Sequence, residues 1–376
     1  MGIYEELGVK TLVNAAGTYT IIGGSKMSEA SLQAMKEAAS QHVEIRALQA
    51  AVHREIAKLT NNEAAVVTAG AIIGVYQAIA ACISMKYGRA LKYINPKDVQ
   101  EAEVIMFRAH RNPYDRGLEI LGVKIVELGY PNNIDIVVEE QFEYAITDKT
   151  VGVLYLPSTV GGWVPPGALD IEKTIAICKR HNIPVIVDAA AQLPPKSNLW
   201  HFTKDLGASA VVFSGGKYIK GPQTTGLMLG EKKLLDWAVV NNFPNYGIGR
   251  MSKVGREELA GIYTAVKEYV QSDEAAKDAE AEQVVAMFKA AFGEGDIFHF
   301  ERSYPNEAGQ PMARAKLIID RDVITAEEIR EELYELPRAI FSMVENGSLY
   351  VNPMMITMEE AEYILSAYQA INNRLK

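Results

Sequence analysis

The chain has 376 residues, of which 48% are hydrophobic and 23% charged, and its net charge is −9. This composition is typical of a soluble globular protein that is long enough for a large domain and a smaller one. The acidic balance argues against a nucleic-acid partner, because nucleic-acid binders usually carry a basic face.

The N-terminus and the cysteines bear on the expected compartment. The opening sequence MGIYEELGVKTLVNAAG contains Glu5, Glu6 and Lys10 and has no long apolar core, so we expect no signal peptide. No run of about 18 uncharged apolar residues is present to span a membrane. Cys82 and Cys178 form no CxxC pair, so neither a disulfide framework nor a zinc site is expected. These features favour a reducing cytoplasm.

From about Asn61 the chain alternates short apolar runs with helical segments. The predicted strands are EAAVVTAG, VIMFRAH, VKIVELG, VGVLYLP, IPVIVDAAA, ASAVVFSGG and TGLMLG. AIIGVYQAIAACISMKYG is predicted to be a buried helix closed by Gly88, and DIEKTIAICKRHN a helix capped by Asp170. This alternation predicts an α/β fold with a mainly parallel sheet covered by helices. In such sheets the ligand site lies at the carboxyl ends of the strands.

After about Asn242 the pattern becomes mostly helical and highly charged. Thr325 with Glu328, and Thr357 with Glu360, form capping boxes that open two helices. This region is predicted to be a smaller C-terminal α+β domain, joined by the N-terminal segment. We therefore expect three parts: residues 1–60, an N-terminal segment packing with the small domain and the active site; 61–242, the large domain; and 243–376, an interdomain helix and the small domain.

Two predicted strand ends carry groups that could bind a charged partner. One group favours an anion and the other favours a cation. The turn TAGA (Thr68–Ala71) opens a helix, where backbone N–H groups favour an anion, although many helices begin with small residues for packing alone. Asp188 ends the most apolar strand, where a buried carboxylate is costly without a cation. Its alternative role is a helix N-cap, which Pro194 and Pro195 disfavour.

Lys217 is the third such group, one strand beyond Asp188. It follows Ser214, Gly215 and Gly216, and the glycines permit a tight path past a ligand. The alternative is a solvated lysine in an ordinary loop. A partly desolvated lysine loses its proton more easily and becomes a nucleophile. A phosphate cradle, a carboxylate for a ring cation and a lysine for an aldehyde together match pyridoxal phosphate.

Longer motifs resemble a known family. FSGGKYIKGPQTTGLMLG is similar to the Ser-Gly-x-Lys-x-x-x-Gly-Pro-Gln motif of bacterial selenocysteine synthase and its relatives. LVNAAGTYTIIGGSKMS, VVTAGA, VDAAAQLPP and LYVNPMMI resemble the D-glucosaminate-6-phosphate ammonia-lyase branch of that group. Over most of its length the chain thus resembles a fold-type-I pyridoxal-phosphate enzyme. The resemblance implies an aminotransferase-like fold and a homodimer or higher homo-oligomer, in which Gly221–Gly226 approaches the partner's cofactor.

The resemblance also implies roles for individual residues. Lys217 would be the Schiff-base lysine and Asp188 the partner of the pyridinium nitrogen, with Ala190 beneath the ring. The other implied cofactor contacts are Thr68, Ala69, Gly70 and Ser214 at the phosphate, and Ser158, Thr159 and Gln192 near the ring's phenolic oxygen. No metal site is implied.

His110 ends VIMFRAH, the next predicted strand after the TAGA turn. Fold-type-I enzymes place a flat side chain that stacks on the cofactor ring at this point, so the resemblance implies this role for His110. The alternative is a solvated loop histidine beside Arg108 and Arg111.

Two groups of cations are candidates for binding an anionic substrate. Arg250, Lys253 and Arg256 lie close together in NYGIGRMSKVGREE, where a solvated helix start is the alternative to anion binding. Arg314 and Arg338 fall in the predicted small domain, from which fold-type-I enzymes often hold the substrate carboxylate. Sequence alone does not choose between these two.

The leading functional hypothesis is a lyase that removes ammonia from an amino-sugar acid or a hydroxy-amino acid. The resemblance implies D-glucosaminate 6-phosphate as substrate and 2-keto-3-deoxygluconate 6-phosphate as product. A racemase, an aldolase or an aminotransferase would share the cofactor and the early chemistry. Selenocysteine synthesis on tRNA is disfavoured by the acidic charge and by the lack of a basic N-terminal module. A regulator that binds the cofactor without catalysis is disfavoured because no DNA-binding module is visible.

Overall fold

The computed structural model describes residues 2–132, 134, 136–157, 165–319 and 323–376. The chain divides into two compact units. Unit 1 combines Met1–Ser25 with Asp273–Lys376, and unit 2 is Lys26–Ser272.

The helices and strands follow in chain order. The helices are α1 Ile3–Glu6, α2 Glu29–Ala39, α3 Ile45–Leu59, α4 Ala71–Tyr87, α5 Pro96–Glu101, α6 Arg116–Leu121, α7 Glu139–Tyr144, α8 Ile171–Arg180, α9 Asn198–Trp200, α10 Lys232–Asn241, α11 Arg256–Gln271, α12 Glu274–Ala290, α13 Ala326–Glu335 and α14 Met358–Leu375. The strands are β1 Leu12–Asn14, β2 Ala64–Thr68, β3 Glu103–Phe107, β4 Lys124–Leu128, β5 Thr150–Tyr155, β6 Val185–Asp188, β7 Ala210–Ser214, β8 Gly226–Gly230, β9 Phe298–Ser303, β10 Arg314–Ile319, β11 Ala339–Phe341, β12 Val344–Glu345 and β13 Ser348–Val351.

Unit 2 is built on a sheet of order β2-β8-β7-β6-β5-β3-β4. β8 runs antiparallel to both of its neighbours, and the pairs from β7 to β4 are parallel. Strands β3, β5 and β8 are buried along their whole length, as their unbroken apolar sequences predict. The predicted mainly parallel α/β sheet is therefore confirmed.

Helix α4 is the central buried helix of unit 2. Its residues from Gly74 to Ser84 are buried, and it ends at Gly88, which adopts the left-handed conformation with φ +63°. A Cβ at Gly74 would lie 2.7 Å from Val212 Cγ1, so only glycine lets α4 approach β7 this closely. This packing holds the start of α4 against the carboxyl end of the sheet.

The boundary between the units differs from the one expected from the sequence. Residues 26–60 and 243–272 cluster with the large unit rather than with the N-terminal segment and the small domain. The physical reason is helix packing, since α11 packs against α2 and α3. Gly261 of α11 permits this contact, because a Cβ there would lie 2.9 Å from Met35 of α2.

Unit 1 contains a sheet of order β12-β13-β10-β9, antiparallel throughout, and a parallel pair of β1 with β11. The pairing of β1 with β11 joins the start of the chain to this smaller α+β unit. Both predicted capping boxes are present, at Thr325 with Glu328 and at Thr357 with Glu360. Within the described ranges, no helix is long and apolar enough to cross a bilayer.

Candidate active site

Three strand ends of unit 2 meet at one edge of the sheet. Gly226 pairs with Thr68 of β2 on one side and with Ser214 of β7 on the other. Asp188, the last residue of β6, pairs with Val212 of β7. The sheet therefore brings Thr68, Ser214 and Asp188, which are far apart in sequence, to a common carboxyl edge.

The turn after β2 forms the start of α4. Thr68 is fully buried and its hydroxyl donates a hydrogen bond to the Gly70 carbonyl at 2.9 Å. Gly70 has φ +87°, and apart from its chain neighbours no described residue has an atom within 4 Å of the position that its Cβ would take. The first N–H groups of a helix lack intrahelical partners, so this turn presents backbone donors and a positive dipole end. It is suited to an anion such as phosphate.

Gly226 is required beneath this turn. A Cβ at Gly226 would lie 2.5 Å from the Gly70 carbonyl carbon and oxygen, and 2.5 Å from Thr68 Oγ1. These distances are shorter than any ordinary van der Waals contact, so a side chain there would displace the turn. The Thr68–Ala71 turn can therefore adopt this conformation only because residue 226 is a glycine.

Asp188 carries a carboxyl whose pKa is raised by burial. The Ala190 N–H, which donates to Asp188 Oδ1 at 3.1 Å, and the positive charge of Lys217 both act to lower that pKa. The electrostatic interaction of Asp188 with Lys217 brings the predicted acid and the predicted lysine into one local environment. A buried carboxylate of this kind favours a cationic partner.

The loop from Ser214 to Gly226 explains why glycines precede the lysine. Gly215 N–H donates to the Thr225 carbonyl and Gly221 N–H to the Gly215 carbonyl, each at 2.8 Å, which closes the loop. A Cβ at Gly215 would lie 2.1 Å from Thr225 Oγ1. The chain therefore folds back too tightly for a side chain, and this holds Lys217 in a partly buried position. Lys220, by contrast, is exposed.

Ala190 and Gln192 lie in the segment that follows β6. The Ala190 carbonyl accepts a hydrogen bond from the Ser214 N–H at 3.3 Å, which ties this segment to the end of β7. Gln192 is buried, and its carbonyl accepts from Asn198 Nδ2 at 2.7 Å. Both residues are placed close in sequence and structure to Asp188.

His110 is a buried, neutral histidine. It ends a short 3-10 turn after β3 and is 1% exposed. Its Nδ1 accepts a hydrogen bond from the Leu156 N–H at 3.3 Å, so the neutral ring carries its proton on Nε2. Burial lowers its pKa to about 3. The ring lies edge-on to Tyr155, with centroids 4.5 Å apart, and stacking on a cofactor remains a prediction.

Ser158 and Thr159, the predicted contacts of the phenolic oxygen, lie outside the described residues. Sequence reasoning gave Arg108 and Arg111 no function. Both pair with Glu127, and Arg111 also binds the buried Asp115 at 2.5 Å. These ion pairs account for the arginines that flank His110.

The cations of NYGIGRMSKVGREE have different environments. The Arg250 guanidinium lies over the Phe243 ring at 5.3 Å, and Lys253 is exposed. Arg256 donates from Nε to the Ala38 carbonyl at 2.8 Å and from Nη2 to the Ala39 carbonyl at 3.0 Å. Arg256 thus satisfies carbonyl groups at the C-terminus of α2, where a cation is favoured by the helix dipole.

The two arginines of unit 1 also differ from each other. Arg314 is buried, and its Nη1 lies 2.8 Å from Glu307 Oε2 and 2.9 Å from Glu345 Oε1. Arg338 is about half exposed and lies 3.5 Å from Glu359. The two acids around Arg314 were not anticipated from the sequence, because they come from separate segments and form no motif.

The comparisons with known proteins agree with this geometry. No family model matches the chain. It is 28% identical over 379 residues to the D-glucosaminate-6-phosphate ammonia lyase of Salmonella typhimurium, covering 98% of this chain and 97% of the relative. It is also 28% identical to a 5'-C-glycyluridine monooxygenase-decarboxylase of a Streptomyces species, covering 96% and 90%. The L-seryl-tRNA(Sec) selenium transferase of Clostridium perfringens is 24% identical, with 98% and 84% covered.

Solved structures give the same result. A structure of D-glucosaminate-6-phosphate ammonia-lyase superposes with a TM-score of 0.83 at 26% identity, covering 100% of this chain and 99% of the other. A structure of SPT with PLP has a TM-score of 0.58 at 12% identity, covering 97% and 88%, which shows a shared fold. The predicted resemblance is confirmed: the chain has the fold of the fold-type-I pyridoxal-phosphate enzymes and resembles, over its whole length, the D-glucosaminate-6-phosphate ammonia-lyase branch of the selenocysteine synthase-like group.

Proposed function

We propose that this protein is a pyridoxal-phosphate-dependent ammonia-lyase that acts on D-glucosaminate 6-phosphate. The observation that carries the proposal is the common sheet edge, where Asp188 ends β6, the interacting Lys217 lies in the loop after β7, and the Thr68–Ala71 turn follows β2. Full-length similarity to an ammonia-lyase of that name supports the substrate. The products would be ammonia and 2-keto-3-deoxygluconate 6-phosphate.

The residues at this edge fit the cofactor. Because Gly226 has no Cβ, the Thr68–Ala71 turn can lie directly against it. The side of Gly70 on which a Cβ would stand is open and can receive a phosphate. Thr68, Ala69, Gly70 and Ser214 would hold that phosphate. Asp188, with its buried carboxyl, would pair with the ring nitrogen. When bound, pyridoxal phosphate supplies an electron sink for the charge that develops at the substrate Cα.

The side chains around the ring would fix its position. We assign Ala190 to the face below the ring and His110 to the opposite face. Gln192 and Thr159 are assigned to the phenolic oxygen. The neutral state of His110 suits this position, since a second cation would oppose the positive ring nitrogen that Asp188 stabilises.

Lys217 is the catalytic residue of the proposal. Its amine accepts the proton from the substrate Cα as a general base. The hydroxyl at Cβ then leaves as water, and hydrolysis of the resulting enamine releases ammonia and the keto acid. The elimination releases one water and the hydrolysis consumes one, so the net reaction converts the substrate into the keto acid and ammonia. No electrons are gained or lost overall, so no oxidant is needed. Asp188 acts throughout by keeping its negative charge beside the ring cation.

Arg250 and Lys253 are proposed to bind the substrate phosphate. Arg256 is less available for this role, because its guanidinium binds the end of α2. Each charged hydrogen bond is worth about 1.5–3 kcal/mol. Replacing Arg250 and Lys253 by glutamine should therefore raise KM for the phosphorylated substrate more than tenfold, with little change for D-glucosaminate. If the preference for D-glucosaminate 6-phosphate over D-glucosaminate did not change, the substrate phosphate would have to bind elsewhere.

We further propose a homodimer or higher homo-oligomer in the cytoplasm, with Gly221–Gly226 near the partner's cofactor. The buried, unpaired thiols of Cys82 and Cys178 fit a reducing compartment. Equilibrium sedimentation of the holoenzyme tests the assembly, and a monomer at micromolar concentration would contradict it.

The experiment that tests the function measures ammonia and keto acid together. Holoenzyme is incubated with D-glucosaminate 6-phosphate, D-glucosaminate or D-serine, with and without oxygen. The proposal predicts equal amounts of ammonia and keto acid from the sugar acid, without dependence on oxygen. Oxygen consumption or release of carbon dioxide would instead match the relative that is a monooxygenase-decarboxylase. Ammonia from D-serine alone would overturn the proposed substrate.

A further inference from the structure

One buried amide of helix α4 lies where the two ends of the loop before Arg250 meet. We call this loop, residues 242–250 of unit 2, the Arg250 loop. Gln77 is fully buried, and its Nε2 donates a hydrogen bond to Asn242 Oδ1 at 2.8 Å. A Cβ at Gly249 would lie 2.8 Å from the same Nε2. The Gln77 side chain therefore lies against both the first and the next-to-last residue of the loop.

The Arg250 loop is closed by its own backbone. Asn242 and Gly249 form an isolated β-bridge, and the Gly249 N–H donates to the Asn241 carbonyl at 2.9 Å. The Arg250 N–H donates to the Gly247 carbonyl at 3.0 Å. The ends of the loop thus join directly beside the Gln77 amide, and Arg250 follows this junction at once.

The Arg250 side chain is oriented by rings of the same loop. Its guanidinium lies over the Phe243 ring at 5.3 Å and over the Tyr246 ring at 5.8 Å. Within the described ranges, it makes no ion pair or hydrogen bond. A guanidinium that stacks on a ring keeps the donors of its own plane for a phosphate. Because both rings belong to the loop, the direction of these donors depends on the shape of the loop.

Helix α4 connects this loop to the proposed cofactor site. The helix begins at Ala71, in the turn that we assign to the cofactor phosphate. Gln77 lies roughly 9 Å further along the helix axis, since each residue adds about 1.5 Å. The Gln77 hydrogen bond therefore attaches the Arg250 loop to the same rigid helix that supports the turn.

The stability of the core alone does not explain an amide at position 77. Gln77 Oε1 is buried, and no described residue donates a hydrogen bond to it. A buried acceptor without a donor destabilises the folded state. Methionine would fill a similar volume without that cost. What glutamine adds at this position is the donor that binds Asn242.

We propose that Gln77 is a positioning residue that holds the Arg250 loop so that the Arg250 guanidinium meets the substrate phosphate. This inference rests on the proposed function, because it concerns how a proposed phosphate ligand is oriented. Gln77 would then set the preference for a phosphorylated over an unphosphorylated sugar acid without touching either. Its replacement should act on phosphate binding and leave the chemistry at Lys217 unchanged.

The kinetic test uses holoenzyme with Gln77→Met, which removes the donor and keeps the size of the side chain. KM for D-glucosaminate 6-phosphate should rise about three- to tenfold, the effect of one neutral hydrogen bond. We expect kcat and the kinetics with D-glucosaminate to stay as in wild type. The midpoint of urea unfolding should not fall, because the unpaired acceptor is gone. An unchanged KM, an equal rise for both substrates, a lower midpoint or failure to fold would each overturn the proposal.

Two further variants separate positioning from general packing. Ser84→Ala is the matched control, since Ser84 is a buried residue of α4 that accepts from Asn241 Nδ2 at 2.8 Å. It should leave the preference for the phosphorylated substrate unchanged, and a loss equal to that of Gln77→Met would contradict the proposal. Adding Gln77→Met to Arg250→Gln should cause no further loss, because Gln77 acts through Arg250. Additive losses would mean that it does not.

A binding measurement separates this inference from the lyase activity. Titration calorimetry of the holoenzyme uses D-gluconate 6-phosphate, which carries the phosphate but has no amine to react. We expect Gln77→Met to bind it about three- to tenfold more weakly than wild type, with no difference for D-gluconate. Such a result in a protein that releases no ammonia would reject the lyase and keep the role of Gln77. Equal binding by both proteins, or no binding by wild type, would reject that role even if the lyase is active.

Discussion

Two regions of the molecule are built in opposite ways. One is the sheet edge of unit 2 with Thr68, Asp188, Ser214 and the adjoining Lys217, which we call the Lys217 edge. The other is the buried Arg314 of unit 1 with Glu307 and Glu345, which we call the Arg314 cluster. At the edge, Thr68, Asp188 and Ser214 each end a strand, and glycines bring the backbone close, as at Gly226 against Gly70. In the cluster, side chains from distant segments surround one guanidinium, and two acids share one nitrogen. At the edge, one acid, Asp188, interacts with one base, Lys217.

We expect the two regions to respond differently to substitution. Backbone N–H groups and strand ends are rigid, so they suit groups that must stay in place during proton transfer. Side chains that gather from several segments are held by tertiary contacts, so a substitution in the cluster should act first on the free energy of unfolding. The following measurements test this difference.

The largest effect is expected for Asp188→Asn. The amide keeps an acceptor for the Ala190 N–H but loses the negative charge, so the protein should fold and catalysis should fail. Losing one member of a buried charge pair costs roughly 3–5 kcal/mol, which corresponds to about 10²–10⁴-fold in kcat. Steady-state kinetics and circular dichroism measure the two parts. A variant with wild-type kcat would show that the edge does not act through this charge.

Arg314→Met tests the cluster in the same manner. It removes the cation that the partly buried Glu345 and Glu307 share, so the free energy of unfolding should fall by about 3–5 kcal/mol. Urea unfolding measures the change. Arg338→Met is the matched control, because its exposed ion pair is worth about 0–1 kcal/mol. Equal losses in both variants would mean that the Arg314 cluster is no more than a surface network.

Gly226→Ala tests the claim that the edge depends on backbone approach. Its Cβ would lie 2.5 Å from Gly70 and Thr68, and such overpacking costs about 1–3 kcal/mol. We expect weaker cofactor binding together with a lower free energy of unfolding. In Gly293→Ala the new Cβ has no neighbour closer than 4.0 Å, so this control should behave as wild type. Unchanged cofactor affinity in Gly226→Ala would contradict the proposed cradle.

As the pH is lowered, unit 2 should lose stability at a higher pH than unit 1. Burial lowers the pKa of His110 to about 3 and that of His53 to about 4, whereas His299, the histidine of unit 1, is exposed. Because the unfolded chain binds these protons more readily, stability is present above pH 6.5 and is lost as pH falls toward the folded pKa values. Each histidine contributes up to about 1.4 kcal/mol per pH unit.

Hydrogen exchange at pH 7 and pH 5 locates this loss. Faster exchange in β2, beside His53, and in β5, beside His110, is expected, with little change in β10. His53→Gln should reduce the pH dependence of the free energy of unfolding. Equal acceleration in both units would show that the two buried histidines do not govern the response to acid.

Much of the Lys217 edge could be predicted from the sequence, because its signals are local. Apolar runs fix the strands; Asp188 directly follows one such run, and Lys217 follows another after Ser214, Gly215 and Gly216. The strand order cannot be read this way, since β8 inserts antiparallel between β2 and β7 through long-range pairing. The sequence nevertheless predicts which strand ends meet at this edge, and the chemistry assigned to them remains a proposal.

The rest of the site depends on contacts between distant segments. Arg256 was grouped with Arg250 by spacing, but its binding to α2 depends on how α11 packs. Glu307 and Glu345 lie 7 residues before and 31 residues after Arg314, with no periodicity that links them. Side-chain clusters of this kind follow from tertiary packing, which no short sequence window contains.

The most direct test of the central claim is reduction of the holoenzyme with borohydride, followed by peptide mapping. The account predicts a single cofactor adduct on Lys217, which is partly buried beside Asp188, and none on the exposed Lys220. Lys217→Ala should then still bind the cofactor through the Thr68–Ala71 turn but lose both the adduct and turnover. An adduct on Lys220, or on any other lysine of the wild-type protein, would contradict the account.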